Sequence, residues 1–126
     1  CTLKASRGGV PTAAQAAVDA VTEEMRAGNF QQIYDEAADE WKRKTTPEQS
    51  RAFFQTLKTK LGNVKSRSYH SATERTGAGG AANGRAFIIT YSTTFERAEG
   101  METFTLLERG DRWLLAGYIV NSDALK

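Results

Sequence analysis

Hydrophobic positions along the chain change their period once. From Ala14 to Leu61 they recur at helical spacing, and beyond Gly62 they alternate with polar residues. The first pattern marks helices with one buried stripe; the second marks strands with one buried face. Ala14, Ala17, Val18, Val21 and Met25 define a first helix. Thr12-Ala13-Ala14-Gln15 has the form of a capping box behind Pro11, and Gly28 is a suitable stop. Asn29 is placed to cap a second helix, with Gln32 at its third position. Phe30, Ile33, Tyr34, Ala37 and Trp41 form its stripe, which predicts one helix out to about Arg43. Asp39 with Arg43, and Glu40 with Lys44, form i,i+4 pairs in the favourable order. Thr46-Pro47-Glu48-Gln49 starts a third helix, with a hydroxyl at the cap and proline at the first helical position. Phe53, Phe54, Leu57 and Leu61 form its buried stripe, and Gly62-Asn63 ends it. Lys58 and Lys60 in its last turns complement the helix dipole.

Residues 64–74 read as a polar strand. Val64, Ser66, Ser68, His70 and Ala72 share one face; Lys65, Arg67, Tyr69 and Ser71 share the other. The glycine-rich segment 77–84 reads as a hairpin tip. Residues 85–97 follow, with Phe87, Ile89, Tyr91 and Phe95 opposite Ile88, Thr90, Ser92 and Glu96. Glu99-Gly100 reverses the chain. Residues 101–109 place Phe104 and Leu106 opposite Thr103, Thr105 and Leu107. Gly110-Asp111 turns it again, and residues 113–122 close the set. Connections this short force antiparallel neighbours, because a parallel crossover needs a dozen residues or more. The predicted class is α+β: N-terminal helices packed on a curved four-stranded antiparallel meander. Long strands twist, so the sheet is expected to curl around the first or third helix and leave a conical hollow.

Composition narrows the setting. The 126 residues are one domain's worth, 40% hydrophobic and 25% charged. Uninterrupted apolar runs, such as 86–89 and 113–116, span a few residues, whereas a membrane-spanning helix needs about twenty. Cys1 is the one cysteine of the sequence, so no disulfide can join two of its own cysteines and no cysteine-based zinc site can form. Seventeen Lys and Arg against fifteen Asp and Glu do not call for nucleic acid as a partner. The charges are nevertheless segregated. Residues 19–40 carry seven acids and one base, and residues 42–67 carry eight bases and one acid. Solvated helix faces account for this, and a basic surface leaning on an anionic one is the functional counterpart.

Residues 1–10, with Ser6, Arg7, Gly8 and Gly9, have no periodicity and read as a flexible tether. This leaves 11–126 as the folding unit. Cys1 followed by such a tether resembles the mature start of a bacterial lipoprotein. The resemblance implies lipid modification of Cys1 on its sulfur and amino group and attachment to the envelope membrane at its periplasmic face. Thr2, not being Asp, favours the outer membrane. Several acyl chains would hold a folded domain far more firmly than one.

Candidate chemistry is sparse. His70 is the single histidine and lies among Ser68 and Ala72, with no acid beside it in sequence; a triad would need a nucleophile and an orienting acid. Asp35, Glu36, Asp39 and Glu40 cluster, but carboxylates on helix faces pair with downstream bases more readily than they hold calcium. The glycine loop lacks a lysine and precedes a strand, whereas a phosphate cradle opens a helix. No catalytic residue, metal or cofactor is therefore assigned. The aromatic set is richer. Tyr34, Trp41, Tyr91, Trp113 and Tyr118, with Arg67 and Glu102, are the candidate ligand pocket, apolar walls carrying few polar groups.

The order of elements, helices first and then a curved meander, resembles the NTF2-like (cystatin-like) fold. Shorter segments resemble the DUF4019-type exported bacterial domains of unknown function. They are Ala17-Val18 with Gly28-Asn29-Phe30, Ile33-Tyr34 with Trp41, and Leu61-Gly62-Asn63-Val64-Lys65-Ser66-Arg67. The strands Ile89-Thr90-Tyr91-Ser92-Thr93-Thr94-Phe95, Glu102-Thr103-Phe104-Thr105-Leu106 and Trp113-Leu114-Leu115-Ala116-Gly117-Tyr118 complete the likeness, over roughly 13–122. The resemblance implies an exported domain and supplies no catalytic residue. NTF2-like domains often pair through the open sheet face, which implies a homodimer among the partners. The expected function is a membrane-tethered, non-enzymatic binding module for a small ligand or an envelope protein. Two alternatives stand beside it. A hydrolase or isomerase would bring an acid–base pair together inside the cone. A purely structural partner domain would show an apolar patch on the sheet and no hollow.

Overall fold

The computed structural model describes residues 10–77, 84–110 and 112–125. Cys1, residues 2–9 of the tether and most of the predicted glycine-rich hairpin tip lie outside the described residues; Val10, the last residue read as tether, is buried in the core. Four helices precede the sheet: α1 (Thr12–Ala27), α2 (Phe30–Glu36), α3 (Asp39–Lys44) and α4 (Pro47–Leu61). Four strands follow: β1 (Val64–Gly77), β2 (Gly84–Phe95), β3 (Glu99–Arg109) and β4 (Arg112–Asn121), with a short 3-10 turn at Asp123–Leu125. The strands pair in the order β1-β2-β3-β4, each antiparallel to the next. The class is α+β with the helices N-terminal to the sheet, as the change of period predicts, and this arrangement is compatible with the NTF2-like fold.

The start of α4 follows the sequence closely. Thr46 Oγ1 accepts from the Gln49 backbone N–H at 3.1 Å, and Gln49 Oε1 accepts from the Thr46 N–H at 3.0 Å, with Pro47 at the first helical position. Two other predicted caps do not form. Helix α1 begins one residue earlier than a Thr12 cap would place it: Pro11 is the cap, and the Gln15 N–H bonds to the Pro11 carbonyl at 3.0 Å. The Gln15 side chain is then free to reach Asp19 and Tyr91. Asn29 precedes α2 without a side-chain capping bond.

The second predicted helix is two helices. Ala37 and Ala38 are extended between α2 and α3, with ψ of 164° and 159°. The cause is tertiary. The Ala38 N–H donates to the Leu115 carbonyl on the edge strand β4 at 2.8 Å. Ala38 is buried against Ala86, Leu107 and Ala116. A bond to the sheet edge thus replaces one turn of helix, and α3 bends around β4. The predicted Glu40–Lys44 pair gives way to Glu40–Arg109 at 2.7 Å and Glu40–Arg43 at 3.6 Å.

Strand β1 departs from simple alternation. Its pairing with β2 skips one residue at Lys65 and one at His70. Each bulge shifts the phase. Val64, Arg67, Tyr69 and Ala72 consequently sit towards the helices, opposite Phe95, Thr93, Tyr91 and Ile89. The prediction that Ala72 shares a face with Ser66, Ser68 and His70 fails for this reason. A third bulge, at Ala116, resets β4 so that Trp113, Leu115 and Tyr118 are all buried. On β2 the predicted face of Phe87, Ile89, Tyr91 and Phe95 is buried as expected.

The core lies between α1, α2, α4 and the inner sheet face. Aromatic rings run through it in series: Phe30 stacks on Phe54 at 6.0 Å, Phe54 on Trp41 at 5.9 Å and on Tyr118 at 6.0 Å. Tyr118 continues to Phe104 at 4.8 Å, and Phe104 to Tyr91 at 5.8 Å. The β2–β3 turn clasps the end of α4. The Arg97 N–H bonds to the Leu61 carbonyl, the Glu96 N–H to the Asn63 carbonyl, and Glu96 Oε1 accepts from the Asn63 N–H. Gly62 lies in this clasp with φ of +82°, and a Cβ there would fall 2.7 Å from Glu96 Oε1. Gly62→Ala is expected to lower the unfolding free energy by about 1–3 kcal/mol, from backbone strain and loss of the clasp. Urea denaturation monitored by circular dichroism measures it.

Candidate functional site

Parity on the strands brings four of the seven predicted pocket residues together. Arg67 on β1, Tyr91 on β2, Glu102 on β3 and Tyr118 on β4 all point towards the helices, along with Thr93. Glu102 is fully buried and held three ways. Its Oε1 accepts from Arg67 Nε at 2.8 Å and from Thr93 Oγ1 at 2.6 Å; its Oε2 accepts from the Tyr118 hydroxyl at 2.5 Å. The Arg67 guanidinium lies over the Tyr91 ring at 5.0 Å and the Phe104 ring at 5.3 Å. Its Nη1 donates to Thr22 Oγ1 at 3.0 Å, and Thr22 in turn donates to the Val18 carbonyl. The Tyr91 hydroxyl donates to Gln15 Oε1 at 2.8 Å. Burial, and then the Glu102 carboxylate, push the Tyr118 phenol well above its ordinary range.

This cluster is a closed polar knot. Arg67 is 12% exposed and Glu102 not at all. The carboxylate is held by a guanidinium and two hydroxyls, with aromatic rings against the cation; Arg67 Nη2 is the one buried side-chain polar atom of the cluster, among the described residues, without a hydrogen-bond partner. Thr22, Thr93 and Gln15 also belong to the knot; Thr93 shares the parity of Tyr91, and no pattern in the sequence marks Thr22 or Gln15 for it.

The remaining candidates lie elsewhere. Tyr34 is half-buried at the edge of the core, with Lys42 Nζ 6.0 Å from its ring centroid. Trp113 packs edge-on against Phe87 at 5.6 Å and under the Arg85 guanidinium at 5.4 Å. Trp41 is buried, donates from Nε1 to Ser50 Oγ at 3.3 Å, and forms a wall of a different feature. His70 is exposed on the β1 bulge. Among the described residues no group of three or more His, Cys, Asp or Glu is placed to hold a metal ion.

That different feature is a groove of about 650 Å³ where α3 and the start of α4 bend around the edge strand. Trp41 and Phe53 form the helical wall, and Leu107, Ala116, Tyr118 and Ile119 the sheet wall. Its size falls within the range of small-ligand sites, and its walls are mostly apolar. Ile119 is 65% exposed, and among the described residues it is the one large apolar side chain left open to solvent. Tyr118 belongs to both features, with its ring in the groove wall and its hydroxyl on Glu102. Sequence periodicity does not reveal the groove, because it exists only once α3 leaves the helical line of α2. A smaller cleft of about 170 Å³ lies between α1, α2 and β4, with Glu24, Glu36 and Arg112 among its lining.

A family model described as "Protein of unknown function (DUF4019)" matches residues 16–118. The match covers well over half of the chain, which therefore belongs to the DUF4019 family. Among curated proteins none matches it. No helix among the described residues is long and apolar enough to cross a membrane.

Two expectations follow from these charges. Removing Glu102 leaves Arg67 buried without its counter-ion, so Glu102→Ala should cost about 3–5 kcal/mol of stability. Glu102→Gln, which keeps hydrogen-bonding capacity, should cost less; urea denaturation ranks the two. The second concerns Glu24, whose carboxyl is raised from 4.5 to about 7, first by burial and then by a hydrogen bond and repulsion from Glu36. The folded chain then holds this proton more tightly than the unfolded chain. The stabilisation is fully present below pH 4.5 and is lost as pH rises through about 7. Thermal melts of native protein and Glu24→Gln across that window should show the decline only in the native chain.

Proposed function

We propose that this protein is a non-enzymatic binding module of the bacterial envelope, tethered by lipid on Cys1 and binding its ligand in the groove beside β4. The observation that carries the binding role is the contrast between the two sites. The polar residues that an NTF2-like hydrolase or isomerase would need inside the cone are tied to one another around Glu102. The apolar groove walled by Trp41, Phe53, Tyr118 and Ile119 is open. Walls of this kind gain from covering apolar surface and ask little chemistry of the ligand. The anchor is supported by the likeness of Cys1 and the polar stretch after it to lipoprotein starts. Thr2 after that cysteine favours the outer membrane, the domain facing the periplasm.

Two measurements test this. Heteronuclear NMR with a small-fragment mixture should shift the amides of Trp41, Phe53, Tyr118 and Ile119 together. Fragments that instead perturb Arg67 and Glu102, and are turned over, would favour the enzyme. Mass spectrometry of protein taken from its native membrane should find acyl groups on Cys1; an unmodified Cys1 would remove the tether.

A further inference from the structure

We propose that the β4 groove takes a single-chain anionic amphiphile, its hydrocarbon chain on Trp41, Phe53, Tyr118 and Ile119 and its carboxylate on Lys44. The assignment rests on the groove being the binding site and adds the charge and shape of what it binds.

Two charged residues line the groove, Glu40 and Lys44. They differ in how far their charge is already matched. Glu40 Oε2 lies 2.7 Å from Arg109 and 3.6 Å from Arg43. One carboxylate therefore faces two guanidinium groups through Oε2, which offset its charge, while its Oε1 is buried without a hydrogen-bond partner. Lys44 is exposed, and no ion pair to it occurs among the described residues. It stands four residues after Glu40 on α3, so both project from the same side of the helix, about 6 Å apart along its axis. Within the groove lining the charge left without an ion pair is positive, on Lys44. Positive charge attracts a carboxylate and repels an ammonium.

The apolar walls set the rest of the ligand. Trp41 and Phe53 meet edge-on at 6.3 Å, and Phe53 meets Tyr118 at 6.1 Å, giving a run of rings from the helical wall to the sheet wall. Exposed Ile119 follows Tyr118 on the sheet wall. A flexible chain can follow such a surface, and each buried methylene adds to affinity. The lysine ammonium, a point charge on a flexible stem, suits a head group that stays in water while the chain is covered.

Isothermal titration calorimetry on the full chain with dodecanoate, dodecanol and dodecylammonium, each below its micelle concentration, tests this. Dodecanoate should bind most tightly and dodecylammonium least. Lys44→Ala should weaken dodecanoate roughly two- to fivefold, the range for an exposed charge pair, and leave dodecanol unchanged. Thr105→Trp, which fills the groove, should abolish binding of all three; Ile119→Ser, at an exposed position, should weaken all three with the fold intact. Dodecylammonium binding as tightly as dodecanoate, or Lys44→Ala leaving dodecanoate unchanged, overturns the anionic assignment while dodecanol keeps the groove in place. Binding of none of the probes, with fragments still shifting the groove amides, overturns the amphiphile alone. Absence of both responses overturns the groove as the site.

Discussion

Burying a carboxylate without partners is prohibitive, and Glu102 is buried completely. Much of the architecture follows from meeting its needs. Its three partners come from β1, β2 and β4, and Arg67 carries the connection on to Thr22 in α1. All four strands and the first helix are therefore tied to one charge. A slip of β1 by one residue would turn Arg67 to solvent and strand Glu102, so the charge specifies strand register far more sharply than apolar packing alone. The bulge at Lys65 is what allows Val64 and Arg67 both to face inward. Such a knot costs desolvation and is weak support for raw stability; its value is that alternatives are worse.

The same knot decides what the interior is for. Aromatic rings from α2, α3, α4 and three strands fill the space beneath the sheet, and the polar residues among them bond to one another, with Arg67 Nη2 left buried and unpartnered. The larger open feature is at the margin, where α3 bends past β4. Tyr118 joins the two regions, because its ring stands in the groove wall while its hydroxyl is fixed by Glu102. A wall anchored in this way keeps its position whether or not the groove is filled, so little ordering is left to be lost on binding.

Legibility in the sequence divides along physical lines. Where the signal is local, it is readable. Thr46-Pro47-Glu48-Gln49 carries its own capping bonds, and β2 buries the face its alternation predicts. Arg67, Tyr91, Glu102 and Tyr118 can be grouped because strand parity sends them to one side. Signals that depend on a distant partner are not readable. The helix breaks at Ala37–Ala38 because Leu115 offers its carbonyl, and nothing in the alanines announces that. The phase of β1 is lost at Lys65 and His70, since a bulge needs a facing strand to define it. Tyr34 and Trp113 look like pocket residues by type, but Tyr34 sits at the edge of the core and Trp113 packs on Phe87 and lines the smaller cleft. The groove is the extreme case: apart from Tyr118, its sheet wall is built from outward residues of β3 and β4 that become a wall only when a helix folds over them.

The bond from Ala38 to Leu115 has one more consequence. An open four-stranded sheet has two edges, each able to recruit another strand. Here β4 has part of its edge occupied by the chain's own backbone, and β1 is broken by bulges at Lys65 and His70, with a lysine at one of them. Both margins are poor templates for continued growth. Many copies crowded on one surface could sit side by side without their sheets zipping into a fibre, and the cost of that protection is the single helical turn given up at Ala37 and Ala38.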